Sequence, residues 1–366
     1  MRPWSRCGVG PVWRLLRGSV LLALLGVLVL GGVAQGRVLL PPEEGLYLSG
    51  HPDCGLGDDE VTSERVRAFG GLTGRTPVWC YLSWNWDGKN PFPSEACRVL
   101  RREGVVPLVG ILPWSTREQN RREERVNLAA LLAGRYDAPL RAAARTVRAL
   151  GFPVMLCFGP EADGGWFPWS GRFNGGSRRD GYGSPALPDG PERFRDAFRR
   201  VVRLFREEGA REVTWVFHGA ERPGPDLPWN RTEGYYPGDA YVDWIGVSLY
   251  GWLRAGSVRE MEDLLARSLP RLEALSPRRP LAVLEWGIAA GPGVDKGGWI
   301  RNAFEAFTSG EHPRLRAVAW WDKARRPDGT PSGLALEESP EGVRAYREGA
   351  ASRAFGSPAR FGPRRD

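Results

Sequence analysis

Two glutamates stand at the ends of apolar, strand-like segments, where a carboxylic acid is well placed for proton chemistry. Glu161 comes three residues after the run Pro153–Phe158, and Glu285 ends the run Leu281–Glu285. Apolar surroundings raise the pKa of a carboxyl group, so that it holds a proton at neutral pH. One protonated and one ionised carboxyl, facing each other across a groove, are what hydrolysis of a glycosidic bond requires. The two glutamates therefore predict this chemistry, with a salt bridge to a nearby arginine as the simpler alternative for each.

Aromatic side chains follow both glutamates closely. Trp166 and Trp169 come after Glu161, and Trp286 comes directly after Glu285. Flat indole faces stack on sugar rings, and the chain is rich in them, with 16 tryptophans among 366 residues. We predict that these three tryptophans bind substrate. Packing beneath a loop is the alternative for Trp166 and Trp169.

Three further side chains at predicted strand ends are candidates for the same site. Trp321 is expected to form the floor of a sugar subsite, whereas Trp320 points the opposite way and is expected in the core. Tyr250 is expected to hydrogen-bond the carboxylate of Glu285, and His218 to contact substrate, with structural roles as the alternative for both. Residues that would line an outer subsite or replace the chosen acids are Trp84, Asn85, Trp86, Glu221 and Asp322.

Eight strand-like segments alternate with helical patterns along the chain. The segments begin near Gly45, Pro77, Val106, Pro153, Glu212, Val242, Leu281 and Leu315. Continuous apolar strands between helices indicate a parallel sheet covered by helices. Eight units predict an α/β fold closed into a single (β/α)₈ TIM barrel over residues 37–352, with the active site at the carboxyl ends of the strands. An open doubly wound sheet is the alternative, but the sequence has no G-x-G-x-x-G segment and no phosphate-binding loop.

Both ends of the chain differ in composition from the predicted barrel. Residues 1–36 carry arginines, then an apolar run and then small residues, which is typical of a cleaved signal peptide. A membrane anchor through residues 19–34 is the alternative. We therefore expect a secreted or cell-envelope protein. The tail 353–366 is rich in glycine, proline and arginine, and is predicted to be disordered.

Composition argues against several classes of partner and cofactor. The formal net charge of +8 falls to +4 without residues 1–36, and the remaining arginines are scattered, so no nucleic acid partner is expected. Three histidines, at positions 51, 218 and 312, lack the spacing of metal ligands or of a Ser–His triad. We expect no cofactor, a polysaccharide as the partner, and a monomer.

Four cysteines remain once the segment 1–36 is removed. They permit three disulfide pairings, and the sequence does not choose among them. Cys54 and Cys97 fall in predicted loop or helix-start positions, so a bond between them is favoured. Cys80 and Cys157 lie within strand-like runs and are expected to be buried thiols.

Five segments together resemble glycoside hydrolase family 26, the endo-β-mannanase family and its relatives. They are Gly134–Asp137, Glu161–Trp169, Tyr235–Gly246, Leu284–Gly287 and Lys296–Ile300. The second segment is similar to the family's Glu-x-Asn-Gly-x-Trp-x-x-Trp pattern. The likeness spans about residues 45–325. It implies a retaining clan A barrel in which Glu161 is the general acid/base and Glu285 is the nucleophile.

The chain departs from this family pattern around Glu161. Pro160 replaces the histidine before the acid, Cys157 replaces an arginine four residues before it, and Asp163 replaces an asparagine two residues after it. An asparagine at the end of the fifth strand has no counterpart in His218–Ala220. The missing groups are ones expected to orient the acid and to bind sugar hydroxyls.

The sequence therefore predicts an exported glycosidase that cleaves a β-linked polysaccharide with retention of configuration. Mannan is the leading substrate, followed by β-glucan and β-xylan. The alternative from another class is a non-catalytic carbohydrate-binding barrel that acts in envelope or exopolysaccharide assembly.

Overall fold

The part of the chain that the structure describes, residues 36–253 and 255–364 of a computed structural model, contains ten β-strands. They are β1 (Arg37–Leu40), β2 (Tyr47–His51), β3 (Trp79–Trp86), β4 (Val106–Pro113), β5 (Val154–Phe158), β6 (Val213–Gly219), β7 (Trp244–Tyr250), β8 (Leu281–Gly287), β9 (Leu315–Trp321) and β10 (Arg360–Pro363). Strands β3 and β4 are buried at every position. Such strands carry apolar residues on both faces, because both faces are covered.

Eight α-helices lie between and after these strands in the described residues. They are α1 (Ser63–Thr73), α2 (Ser94–Arg102), α3 (Leu128–Leu132), α4 (Asp137–Leu150), α5 (Asp189–Glu207), α6 (Met261–Glu273), α7 (Lys296–Thr308) and α8 (Pro340–Ala350). The Thr62 and Ser339 side chains cap α1 and α8 by accepting hydrogen bonds from backbone N–H groups of the first turn. Strand β9 begins at Leu315, as the sequence predicts.

Strands β2 to β9 form one parallel sheet. Its order is β2-β9-β8-β7-β6-β5-β4-β3, and every neighbouring pair within it is parallel. The helices that connect the strands cover the outside of the sheet. This arrangement is a nearly closed eight-stranded barrel, so the predicted (β/α)₈ fold is confirmed and the open doubly wound alternative is wrong.

Two side chains of β2, Ser49 and His51, connect this strand to β3. The backbone N–H of Trp79 donates to Oγ of Ser49 (3.0 Å), and the N–H of Tyr81 donates to Nδ1 of His51 (2.7 Å). Because Nδ1 of His51 accepts, its Nε2 carries the proton and donates to the Leu284 carbonyl at 2.7 Å. The histidine ring therefore ties β2 to both β3 and β8.

The barrel has an inner and an outer apolar core. The inner one holds side chains that point toward the barrel axis, including Tyr47, Trp79 and Trp244 near the amino ends of the strands. The outer one lies between the sheet and the helices and includes Trp286 and Trp320. Trp320 is fully buried there, as predicted.

The prediction of a disordered tail over 353–366 is wrong for the described residues 353–364. There β10 pairs antiparallel with β1 beneath the barrel, with Arg37 opposite Pro363. Strand β1 is attached in turn to the sheet, because Trp244 Nε1 donates to the Leu39 carbonyl at 2.8 Å. The Arg364 guanidinium also binds the buried carboxylate of Asp243 at 2.8 Å. Pairing with a distant strand and this ion pair order the segment despite its glycines and prolines.

The favoured bond between Cys54 and Cys97 is also not formed. All four cysteines of the described chain are free and buried, which agrees with the prediction for Cys80 and Cys157. Cys97 is not at a loop edge, because α2 turns it into the outer core, where it is completely buried.

The segment 1–36 that is predicted to direct export lies outside the described residues, apart from Gly36. Within residues 36–253 and 255–364, no helix has both the length and the apolar character that crossing a bilayer would need.

Candidate active site

A cleft of about 900 Å³ opens at the carboxyl ends of the barrel strands. Glu161 lines it after β5, and Glu285 lines it near the end of β8. Tyr250, Trp166 and Trp321 line the same cleft. The two glutamates, which are far apart in the sequence, therefore share one groove.

Glu161 is held in a left-handed turn directly after β5. Gly159 has φ +56° and Glu161 has φ +53°, a conformation that is uncommon for a residue with a side chain and costs about 1 kcal/mol. The Glu161 N–H donates to the carbonyl of His218 on β6 (2.7 Å), and its own carbonyl accepts from the N–H of Gly164 (2.9 Å). These bonds offset the strain and point the carboxyl group into the cleft.

Glu285 is positioned by an irregularity in β8. The pairing register between β7 and β8 shifts after Val247, so that Ser248 stands opposite Glu285. Such a shift re-aims side chains at the rim of a barrel. The Tyr250 hydroxyl then donates to Oε2 of Glu285 at 2.8 Å, as the sequence predicts for this pair.

Ser248 lies between the two glutamates and was not recognised from the sequence. Its hydroxyl lowers the pKa of both carboxyl groups. On its other side it is 2.8 Å from Nε2 of His218. The signal that could have found it is strand alternation, since Ser248 is two residues before Tyr250 and faces the same way.

The environment of the pair favours a single shared proton. Burial raises the pKa of Glu161 and of Glu285, and for Glu285 the charge of Glu161 adds to the effect. Hydrogen bonds from Trp166 to Glu161 and from Tyr250 to Glu285 oppose the increase, and so does the nearby Ser248 hydroxyl. Two buried carboxyls that repel each other do not both ionise near neutral pH, so the pair titrates as a unit.

Two of the predicted substrate-binding tryptophans lie in the cleft. Trp166 Nε1 donates to Oε2 of Glu161 at 3.1 Å, and its ring is partly exposed. Trp321 is partly exposed at the end of β9 and packs edge-on against His51 (ring centroids 5.2 Å apart). The cleft wall also contains Tyr81, Asn85 and Trp114.

Three predicted substrate-binding residues do not reach the cleft. Trp169 is 1% exposed and stacks on Phe167 with ring centroids 4.4 Å apart, so the packing alternative applies to it. Trp286 is fully buried in the outer core, because the residue after Glu285 faces the helices. His218 is buried behind Ser248, and burial lowers its pKa to about 3, so it is a neutral partner of that serine rather than a substrate contact.

The remaining candidates divide in the same way. Asn85 lines the cleft, whereas Trp84 and Trp86 are buried in the outer core. Glu221 lines the cleft, but it is ion-paired with Arg259. Asp322 is buried and accepts a hydrogen bond from the N–H of Leu336 at 2.7 Å, so it stabilises the loop after β9.

An ion pair that the sequence did not indicate lies at one end of the cleft. Asp58, which has φ +53°, and Lys323 both line it and form a salt bridge with each other. Burial raises the pKa of Asp58 to about 6, and the lysine opposes that effect. Lys323 also donates to the Gly55 carbonyl at 2.5 Å, so it holds the loop after β2 against the loop after β9.

Comparison with known proteins agrees with this arrangement. The family model of glycosyl hydrolase family 26 matches residues 132–268, a range that includes Glu161, Ser248 and Tyr250. Endoglucanase H of Acetivibrio thermocellus is 25% identical over 295 residues, which are 79% of this chain. Together these two matches support a member of glycosyl hydrolase family 26. The chain spans only 29% of the length of Endoglucanase H.

Solved structures of family 26 enzymes share the fold. The catalytic domain of the Bacillus sp. JAMB-750 GH26 endo-beta-1,4-mannanase has a TM-score of 0.59 at 17% identity, covering 88% of this chain and 87% of that one. A Cellulomonas fimi endo-beta-1,4-mannanase double mutant has a TM-score of 0.60 at 16% identity, covering 85% of this chain and 71% of that one. At this level of identity the likeness establishes the barrel.

Proposed function

We propose that this family 26 chain is an exported, retaining glycoside hydrolase that cleaves a β-linked polysaccharide, with mannan as the first substrate and β-glucan or β-xylan next. The observation that carries the proposal is the pair Glu161 and Glu285, which line one cleft and accept hydrogen bonds from Trp166 and Tyr250 respectively. Retaining hydrolysis needs two carboxyl groups close enough to act on one acetal.

In the first step Glu161 gives its proton to the glycosidic oxygen while the carboxylate of Glu285 attacks the anomeric carbon. The bond to the leaving sugar breaks, and a glycosyl ester of Glu285 forms. In the second step Glu161, now ionised, takes a proton from a water molecule whose oxygen attacks the same carbon. The ester bond breaks, the product keeps its original configuration, and both glutamates return to their starting states.

The two carboxyls differ in their hydrogen-bond donors and neighbouring charges. Tyr250 donates a hydrogen bond to Glu285, which stabilises a negative charge there. The nearby charge of Asp163 disfavours a second negative charge on Glu161. Burial and neighbouring charges raise the pKa of Glu161 to about 7 and that of Glu285 to about 8, so the pair holds a proton near neutral pH, and the mechanism needs that proton on Glu161.

The substrate assignment is supported by aromatic side chains on opposite parts of the cleft. Trp166, beside Glu161, and Trp321, at the end of β9, are partly exposed. Such rings bind the flat faces of sugar units. The names of the relatives, endoglucanase and endo-beta-1,4-mannanase, refer to β-linked polymers, so glucan and mannan head the list.

The test is hydrolysis of a polysaccharide panel by residues 37–366. Reducing ends are expected to appear from β-mannan or, failing that, from β-glucan or β-xylan, and NMR is expected to show the β-anomer as the first product. E161Q and E285Q should each lower kcat by at least about 10³-fold, because neither step proceeds without both carboxyls. Polymer binding without any release of reducing ends would favour the non-catalytic carbohydrate-binding barrel.

Export rests on residues 1–36 and is tested separately. Full-length protein produced in bacteria should be recovered from the medium or the envelope fraction. N-terminal sequencing then distinguishes a chain cleaved near Gly36 from one anchored through residues 19–34. Recovery of the intact chain only from the cytosol would contradict export. Sedimentation of residues 37–366 is expected to give the mass of a monomer.

A further inference from the structure

Asp163 is a buried carboxylate two residues after Glu161, and only 1% of it is exposed. Its Oδ1 accepts from the N–H of Ala220 at 2.8 Å, and its Oδ2 accepts from the Thr232 hydroxyl at 2.6 Å. An ion pair with Arg271 of α6 completes the set, with Nη1 3.3 Å from Oδ2. All three partners are donors, which is the environment of an ionised carboxylate.

The backbone of Asp163 is fixed to the same region. Its carbonyl accepts from the N–H of Gly224 at 2.7 Å and from Nδ2 of Asn230 at 2.9 Å. The turn that begins at Glu161 is therefore bound, at its third residue, to the loop that follows β6. The left-handed backbone of Glu161 is held by these contacts rather than by its own sequence.

Arg271 connects this region to α6. Its Nη2 donates to the carbonyls of Ala220 and Glu221, each at 2.8 Å, and its Nη1 donates to the Thr232 hydroxyl. The arginine thus donates hydrogen bonds to carbonyl groups of the loop after β6, and it also balances the negative charge of Asp163. An asparagine at position 163, as in the family pattern, would set an NH₂ group against these donors.

We propose that Asp163 and Arg271 are positioning residues for Glu161: they hold its turn in place and, through their opposite charges, set how strongly it keeps its proton. The proposal rests on the acid/base role proposed for Glu161. The aspartate departs from the family asparagine because it is matched to the arginine of α6, and the two form one unit.

Several titratable or charged groups surround Glu161. From elements other than its own turn, Glu285, Tyr250 and Cys157 interact with it directly, and Arg271 is linked to it through Asp163. Burial keeps the Cys157 thiol and the His218 ring neutral. The charge of Asp163 raises the pKa of Glu161. Asp163 and Arg271 are the pair whose separate removal shifts the proton affinity of Glu161 in opposite directions.

The experiment compares D163N, R271M and the double variant in residues 37–366, by kcat/KM on the polysaccharide against pH. D163N removes the negative charge that raises the pKa of Glu161, so the alkaline limb should move to lower pH by about one unit. R271M leaves the carboxylate uncompensated, so that limb should move to higher pH. In the double variant the alkaline limb should return close to its original pH. This variant also provides the comparison if either single variant folds poorly. R267M, on the exposed side of α6 one turn earlier, is the matched control and should change nothing.

A second readout separates positioning of the acid from general damage to the fold. On an aryl glycoside with a dinitrophenyl leaving group, departure needs no proton. D163N should therefore lower kcat/KM on the polysaccharide by about 10- to 100-fold and leave that on the aryl glycoside nearly unchanged. Equal losses on both substrates, or limbs that stay in place in D163N and R271M, overturn the inference. If E161Q itself keeps its activity on the polysaccharide, the proposed function fails instead.

Discussion

The Tyr250 hydroxyl, at the carboxyl end of β7, donates a hydrogen bond to Oε2 of Glu285 at 2.8 Å. This bond is the main interaction that stabilises a charged Glu285 in a buried site, since it lowers a pKa that burial raises. It therefore gives a direct test of which carboxyl is ionised in the resting protein.

Y250F should lower kcat by about 10- to 100-fold, because the carboxylate that attacks loses its hydrogen-bond donor. The acidic limb of kcat/KM should move to higher pH, since Glu285 then holds its proton more strongly. The measurement is a pH–rate profile on the preferred polysaccharide. Y182F, in the loop before α5, is the control, and an unchanged acidic limb in Y250F would remove Tyr250 from this role.

Trp166 is predicted to act both through its ring and through its N–H group. W166A should raise KM by about 10-fold, because stacking of a sugar ring is lost. W166F keeps a ring but not the bond to Glu161, so it should retain most binding and move the alkaline limb of the pH profile upward. W169F is the comparison. Substitution of this buried ring should lower the thermal stability and leave KM unchanged. Equal KM values for W166A and the parent protein would contradict stacking.

The buried glutamates should make folding less favourable as pH rises. Their pKa values are raised in the folded state, so the stability present below the unfolded pKa of about 4.3 is lost as pH rises through the folded pKa. E285Q removes one titrating group, and at pH 8 it should be more stable than the parent by about 1–3 kcal/mol. Thermal denaturation at pH 5 and pH 8 checks this, and a Tm difference of a few degrees should appear only at pH 8. A stabilisation that is the same at both pH values would exclude the titration as its cause.

Deletion of residues 357–366 should destabilise the barrel without altering the cleft. The deletion removes β10 and the ion pair of Arg364 with Asp243, and it uncovers Leu39 and Leu40. Loss of a buried ion-pair partner alone costs about 3 kcal/mol, so Tm should fall by several degrees. Below that temperature kcat should be unchanged. R360Q, which alters only an exposed ion pair with Glu43, should leave Tm nearly unchanged.

The sequence predicted the barrel and the position of its strand ends, because continuous apolar runs and helical spacing are local properties. It also led to Glu161, Glu285, Tyr250, Trp166 and Trp321, since residues at strand ends meet at one face of a barrel.

Other features depend on contacts that local patterns do not contain. Trp169 and Trp286 have the same sequence context as cleft residues. The turn after β5 directs Trp169 into the core, and Trp286 lies on the face of β8 that packs against the helices. Ser248 is a single serine within a strand, and its role comes from a register shift between β7 and β8. Strand β10 is short and rich in glycine and proline, and its partner β1 lies at the other end of the chain. Pairing of that kind is decided by the completed fold.

The antiparallel ladder of β1 and β10 brings both ends of the folded region to the floor of the barrel, where Leu39 meets Thr214 and Trp244 at the amino ends of their strands. The groove with the two glutamates opens on the opposite face. A long polymer would consequently enter the groove from the face opposite to β1 and β10, and shortening this ladder would leave the polymer-binding face intact.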